Sequence, residues 1–340
     1  MRKLLVLFTL FVVFAFFIGL GNDISTGASI EPINETSYEF IIQKGDSIEE
    51  IASKLADADI IRSRIHFIWY GKLFGKTSEV KFGLHTVSPD MNMKELYKEL
   101  SVAKAFPTET VSVVIPEGFN IRQIAKRLEE KGIVEEKSFL AVAKAGNFDF
   151  WFLEDVPNYD DPNFYRLEGF LFPATYEFKP YSTAEEVVNT MLKRFEFSIN
   201  PYREIIENSS RNVFDIIRLA SIVEREAVVE NERTTIAGVF YNRLEMGMML
   251  QSCATVQYLF EQQRDIVTFE DLKIDSEFNT YKYKGLPLGA ISNPGESSIK
   301  ASIYPNENDY LFFVAVGNTG EHKFAKTFEA HEDNIRKYRD

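Results

Sequence analysis

The sequence is poor in the residues that build disulfides and metal centres. Among 340 residues there is one cysteine, Cys253, and there are four histidines, His66, His85, His322 and His331. A single thiol closes no intrachain disulfide and supplies no multi-cysteine zinc site. No histidine stands in an HExxH pattern and no CxxC occurs, so neither a metal nor another cofactor is expected. Positive charge is short as well: 38 Lys and Arg stand against 51 Asp and Glu, for a formal net charge of −13. Without a basic block to match phosphates, nucleic acid is not an expected partner. Repeated long apolar runs are missing, which excludes a multi-span membrane protein. What is present is an ordinary globular mix, 45% hydrophobic and 26% charged, at a length that suits about two domains.

One apolar run does occur, at the start. Arg2 and Lys3 precede eighteen uncharged residues from Leu4 to Gly21. As a helix this run is about 27 Å long, close to the hydrocarbon thickness of a bilayer. Its tail offers no small-x-small cleavage site, so residues 1–21 are expected to stay as a single transmembrane anchor rather than leave as a signal peptide. The two cations predict a cytoplasmic N-terminus, which puts the rest of the chain outside the cytoplasm, on the inner membrane. Residues 22–36, polar and containing Gly, Ser, Thr and Pro, read as a linker.

A repeat follows. Gly45-Asp-Ser-Ile-Glu-Glu-Ile-Ala-Ser-Lys-Leu aligns with Gly118-Phe-Asn-Ile-Arg-Gln-Ile-Ala-Lys-Arg-Leu at a constant offset of 73. Ile48/Ile121, Ile51/Ile124, Ala52/Ala125 and Leu55/Leu128 match at helical spacing. Each copy follows a β-rich run (38–42 and 111–115), and Ser47 and Asn120 stand where a helix N-cap belongs. Both copies resemble the LysM carbohydrate-binding pattern, the first more closely. The expected architecture is α+β: the anchor, a LysM-like strand-helix module over 37–107, and a mixed α+β catalytic domain over 108–340. Within the latter, 108–150 is the second repeat and 167–340 the catalytic core. Residues 146–166, rich in Asp, Asn, Pro and aromatics, read as a surface connection.

The clearest helix of the last part is predicted over 213–228. On a wheel with Ile217 at zero, most apolar residues fall between about −120° and +20°, and Glu224 falls inside that arc at about −20°. Glu226 falls at about 180°, beside Asp215 at about 160°. A carboxylate on an apolar stripe either keeps its proton in a pocket, as a general acid requires, or is satisfied by an arginine or backbone amides. Tyr241-Asn242 and Gln251-Ser252 supply amides and hydroxyls near aromatics, groups that suit sugars or equally a core. Asn279-Thr280-Tyr281 precedes 285–295, where three glycines and two prolines predict a stiff loop, either a groove wall or a plain connector. A strand over 310–316, a hairpin return over 322–327 and a helix over 331–339 close the chain.

Several separated motifs then agree on one family. They are Leu167-Glu-Gly-Phe-Leu-Phe-Pro-Ala-Thr-Tyr176, Leu219-Ala-Ser-Ile-Val-Glu-Arg-Glu226, Phe240-Tyr-Asn-Arg-Leu244, Leu250-Gln-Ser252 with Thr255-Val256, Asn279-Thr-Tyr281 with Gly285-Leu-Pro287, Ser292-Asn-Pro-Gly295, and Phe313-Val-Ala315 with His322 and His331. In these the chain resembles the membrane-anchored endolytic murein transglycosylases, the YceG-like group. Cys253 stands where that family often has Asp, and Leu288 and Ala290 where it often has more proline. The resemblance implies a lyase that cuts the MurNAc–GlcNAc bond of peptidoglycan, leaves 1,6-anhydromuramyl ends, and terminates nascent strands. It implies Glu224 as the catalytic acid and a glycan groove lined by Glu168, Tyr241, Asn242, Gln251, Ser252, Asn279 and Tyr281. It also implies peptidoglycan strands, the membrane through residues 4–21, and peptidoglycan synthases as partners. Two rivals are a murein hydrolase, which needs a second acid with Glu168 the best placed, and a non-catalytic wall-binding protein that uses the repeats.

Overall fold

The structure, a computed structural model, describes residues 37–104, 109–262, 264 and 266–338, so the expected anchor and linker lie outside the described residues. No described helix is long and apolar enough to cross a membrane. The architecture is mixed α+β, and the chain divides into two compact units between Thr108 and Glu109.

The first unit runs β1 (Tyr38–Ile42), α1 (Ile48–Asp57), α2 (Arg64–Leu73), β2 (Gly83–Val87) and α3 (Met93–Leu100). Strands β1 and β2 pair antiparallel, Tyr38 opposite Val87 and Ile42 opposite Gly83. Helix α1 starts at Ser47 because that residue closes a capping box. Its Oγ accepts from the Glu50 N–H, and the Glu50 carboxylate accepts from the Ser47 N–H at 2.7 Å. The apolar positions at helical spacing, Ile51, Ala52 and Leu55, then turn inward against Phe67, Leu96, Tyr97 and Leu100. Phe67 and Tyr97 stack at 4.6 Å, and the Tyr97 hydroxyl donates to the Phe67 carbonyl.

The second unit runs β3 (Val111–Val114), α4 (Ile121–Glu130), α5 (Glu136–Ala145), β4 (Thr175–Phe178), α6 (Ala184–Ile199), α7 (Arg203–Glu207), α8 (Val213–Glu226), α9 (Arg233–Glu245), α10 (Cys253–Gln257), α11 (Glu296–Ile303), β5 (Phe312–Ala315), β6 (His322–Ala325) and α12 (Phe328–Tyr338). Asn120 and Gln123 cap α4 by the device that Ser47 and Glu50 use on α1. The second repeat does not stand alone. Its strand β3 pairs with β4, and its helix buries Ile121, Ile124, Ala125 and Leu128 in the same core as Phe170, Phe195 and Ile217. The stretch 146–166, read from sequence as a surface connection, is part of that core. Its polar residues mark the turns, but Phe152, Leu153, Val156 and Phe164 are buried, and Phe152 packs on Phe170 and Phe195.

Helix α8 is the central element. Asn212 caps it by accepting from the Asp215 N–H, and it packs against α9 and α11. The backbone turns extended at Ala227, so the helix stops at Glu226. The glycine- and proline-rich segment 285–295 is a buried connector that braces α8. The Ile291 N–H donates to Ser221 Oγ, and Ser292 Oγ donates to the Ser221 carbonyl. Asn293 is fully buried. Its Oδ1 accepts from the N–H groups of Gly169 and Leu171, and its Nδ2 donates to the Phe119 carbonyl and to Glu168. Only glycine fits at 169: φ is +91°, and a Cβ would lie 2.5 Å from Ile217 Cγ2.

Glu168 belongs to this brace. It accepts from the Ile121 N–H, Asn293 Nδ2 and the Tyr258 hydroxyl. Burial pushes its carboxyl from 4.5 up to about 7, against the pull of Arg122 and those hydrogen bonds. The unfolded chain therefore ionises first. The stability this group contributes is complete below its ordinary value and is lost as pH rises towards about 7, a difference of roughly 3 kcal/mol. In thermal scans, the melting temperature of the wild type should fall more between about pH 5 and about pH 8 than that of Glu168→Gln. Equal slopes would mean that the folded state already holds this carboxyl ionised.

Candidate active site

Where α8 ends, its last residue reaches a cavity of about 390 Å³. Helices α8 and α9 supply Glu226, Phe240 and Arg243; the segment into α10 supplies Leu250, Gln251, Ser252 and Cys253; a following loop supplies Tyr281. The β5–β6 hairpin adds Phe313, Val314, Ala315 and His322, and α12 adds His331 and Ile335. Glu226 is the one carboxylate among these lining residues.

The surroundings of Glu226 are built to hold it. Ser252 Oγ donates to its Oε1. Burial raises its pKa, while the bond from Ser252, the charges of His322 and Arg225, and the Ala254 N–H act in the opposite direction. Ser252 is itself pinned, because its N–H donates to Thr280 Oγ1 and the preceding Gln251 N–H donates to the Thr280 carbonyl. Gln251 has φ +52°, a left-handed conformation that costs a non-glycine residue about 1 kcal/mol and persists only where the surroundings fix it. Arg243 supplies part of that fixing: it donates to the carbonyls of Leu250 and Leu311, tying the Gln251 segment to the start of the hairpin. His322 is fixed by Glu232, whose carboxylate accepts from both its backbone N–H and its Nδ1. A carboxylate only accepts, so Nδ1 carries the proton of that bond. Cys253 Sγ lies 3.0 Å from the Tyr281 hydroxyl, whose pKa burial raises.

Glu224 sits elsewhere. The wheel places it on the packed side of α8, and its side chain there is 7% exposed and hydrogen-bonded. Its Oε2 accepts from the Gly295 N–H at 3.0 Å, from Ser298 Oγ at 2.8 Å and from Arg233 Nη1 at 3.4 Å. Gly295 is the N-cap of α11, so the carboxylate also meets the positive end of that helix. The side chain brought to the cavity is thus Glu226, not Glu224.

Of the other residues expected in the groove, Gln251, Ser252 and Tyr281 line the cavity and four do not. Tyr241 is core: its hydroxyl donates to the Ser302 carbonyl and Arg211 covers its ring at 3.9 Å. Asn242 donates to the carbonyls of Asn308 and Tyr310, holding the approach to β5. Asn279 is buried, donates to Leu272 and Ile274, and accepts from the Tyr281 N–H, so it positions Tyr281 from behind. Glu168 is locked in the Asn293 brace. Arg243 and His322 were inside recognised motifs but carried no assigned role. Glu226 stands on the polar side of the wheel, yet a carboxylate at the final residue before a helix stop is well placed to enter a cleft.

Residues 40–337 match the YceG-like family. Among curated proteins, the endolytic murein transglycosylase of Bacillus subtilis is 32% identical over 317 residues, covering 91% of this chain and 87% of that protein. The endolytic murein transglycosylase of Streptococcus pneumoniae strain D39 is 31% identical over 333 residues, covering 91% of this chain and 60% of that protein, so this chain spans less than two thirds of the pneumococcal relative. A solved structure of a yceG-like protein from Listeria monocytogenes superposes with a TM-score of 0.59 at 34% identity, covering 88% of this chain and 99% of that one.

Proposed function

This chain belongs to the YceG-like family, and we propose on that footing that it is an endolytic lytic transglycosylase of peptidoglycan whose proton donor is Glu226. The observation that carries the assignment is a lone carboxyl in an aromatic-walled cavity, with its pKa raised by burial and its orientation held by Ser252. Glycoside hydrolysis uses two carboxylates across the scissile bond. With one, the substrate must supply its own nucleophile. The Glu226 carboxyl gives its proton to the oxygen between muramic acid C1 and the next sugar, and the C1–O bond breaks. The resulting carboxylate takes the proton of the muramoyl C6 hydroxyl, O6 closes on C1, and the acid is regenerated. The products are a 1,6-anhydro end and a free 4-hydroxyl, with no water consumed.

In this reading Gln251 and Tyr281 contact the glycan, and Arg243, Asn279 and the Glu232–His322 pair hold the walls. Residues 4–21 anchor the enzyme in the cytoplasmic membrane with the described units outside. The strand-helix-helix-strand order of the first unit supports a LysM-like module. Cleavage so close to the membrane would end the growth of nascent strands and place the enzyme beside peptidoglycan synthases. Digestion of purified sacculi followed by mass spectrometry tests the chemistry. Anhydromuramyl ends are expected; reducing muramic ends, heavier by one water, would assign a hydrolase instead.

The exposed thiol of Cys253 gives a second test, since it lines the cavity next to Ser252. A maleimide is expected to abolish cleavage by the wild type, while Cys253→Ala stays active and insensitive to the reagent. Full activity of the alkylated wild type would show that glycan does not pass through this cavity.

A further inference from the structure

Of the two ring nitrogens of His322, the described residues engage one. Glu232 accepts from the His322 backbone N–H at 3.1 Å and from its Nδ1 at 2.8 Å. The imidazole is 6% exposed, and Phe313 meets it nearly edge-on, at 88° with 5.3 Å between ring centres. Both the orientation of the ring and the place of its proton are therefore held. With the proton on Nδ1, Nε2 of the neutral ring can only accept. No described residue hydrogen-bonds to Nε2, and yet it is not sealed in: His322 lines the Glu226 cavity, and Nε2 is open to it. A side chain this deeply buried, with a carboxylate behind it and a bare acceptor in front, is built for a donor that arrives from the cavity.

The neighbouring groups leave room for that role. Arg243 only donates, and its bonds go to the carbonyls of Leu250 and Leu311. Ser252 Oγ donates to Glu226, and the Tyr281 hydroxyl meets Cys253 Sγ. A protonated Glu226 is itself a donor. A glycan carries O–H and N–H groups, so its seat needs acceptors as well as a proton source. The neutral ring also suits Glu226. A charged His322 would pull the pKa of that carboxyl down, whereas a neutral one leaves burial free to keep its proton on.

We propose that His322 Nε2 accepts a hydrogen bond from an acetamido N–H or a hydroxyl of the glycan in the cavity, with Glu232 as its positioning residue. This rests on the reading of the Glu226 cavity as the glycan site. Two variants separate contact with the sugar from bracing of the wall. Asparagine puts its amide where Nδ1 stands, so His322→Asn keeps a donor to Glu232 and loses the cavity acceptor. Glutamine reaches to where Nε2 stands, so His322→Gln keeps an acceptor and loses the bond to Glu232. Cleavage of purified glycan strands by the full chain is expected to fall about tenfold in kcat/KM with His322→Asn, as for one lost hydrogen bond. His322→Gln is expected to recover most of that rate while melting no higher than His322→Asn. Cleavage by His322→Asn at the wild-type rate overturns the proposal. So does His322→Gln slower than His322→Asn, because the imidazole would then be a brace alone. A spectroscopic measurement covers variants that fail to fold. Full-length Glu226→Gln labelled with ¹⁵N-histidine is mixed with uncut strands, and the unprotonated-nitrogen resonance of His322 is expected to move towards the protonated range. A resonance that stays in place overturns the proposal. Failure of the underlying reading looks different: strands cut by Glu226→Gln as fast as by the wild type would take the reaction away from this cavity, and this proposal with it.

Discussion

Replacing Glu226 with glutamine is expected to lower the rate of glycan cleavage by about 10²–10⁴-fold, the usual contribution of a positioned general acid–base. The amide keeps the size of the carboxyl and still accepts from Ser252, so the melting temperature should stay close to that of the wild type. In the wild type the resting enzyme must hold Glu226 protonated. Because burial raises that pKa, activity should persist above the ordinary glutamate range and then fall as pH rises through the shifted value. Glu224→Gln should behave differently. It keeps an acceptor for Gly295 and Ser298 but loses the charge that faces Arg233, so the cost falls on stability, about 1–3 kcal/mol, and the reaction survives.

The second large effect is structural. Asn293→Ala removes four hydrogen bonds from a fully buried site: two from the N–H groups of Gly169 and Leu171, one to Phe119 and one to Glu168. The Phe119 carbonyl keeps the backbone N–H of residue 293 and Glu168 keeps Ile121 and Tyr258, but the Gly169 and Leu171 N–H groups lose their acceptor at about 1–3 kcal/mol each, so the variant should lose about 4 kcal/mol and about 10 °C in melting temperature. Chemical denaturation checks the value. A loss below about 1 kcal/mol would mean that the 285–295 segment merely rests on α8 and does not brace it.

The contrast between Glu224 and Glu226 shows what a sequence does and does not disclose. Periodicity located α8 to within two residues of its end and correctly turned Glu224 towards the packed side. A helical wheel describes one helix in isolation. It could not show that Arg233, Ser298 and the Gly295 N–H wait on the packed side, because those groups arrive from distant segments. Nor could it show that the apparently polar side is roofed by the β5–β6 hairpin and the Gln251–Cys253 segment. The same limit explains Tyr241, Asn242 and Asn279. Their residue types suit sugars, yet Tyr241 and Asn242 are spent on long-range hydrogen bonds to backbone groups and Asn279 on backbone groups of its own loop. The local signals fared better. Ser47 and Asn120 cap their helices as their spacing requires, and Gln251, Ser252 and Tyr281 reach the cavity. The stretch 146–166 misled because its Asp, Asn and Pro dominate the composition, while its alternating aromatics supply the packing.

The most direct measurement sets Glu224→Gln and Glu226→Gln side by side on purified sacculi, with anhydromuramyl ends counted by mass spectrometry and folding verified on the same samples. The account predicts that such ends vanish with Glu226→Gln and persist with Glu224→Gln. Anhydro ends that persist without the Glu226 carboxyl and disappear without that of Glu224 would contradict it.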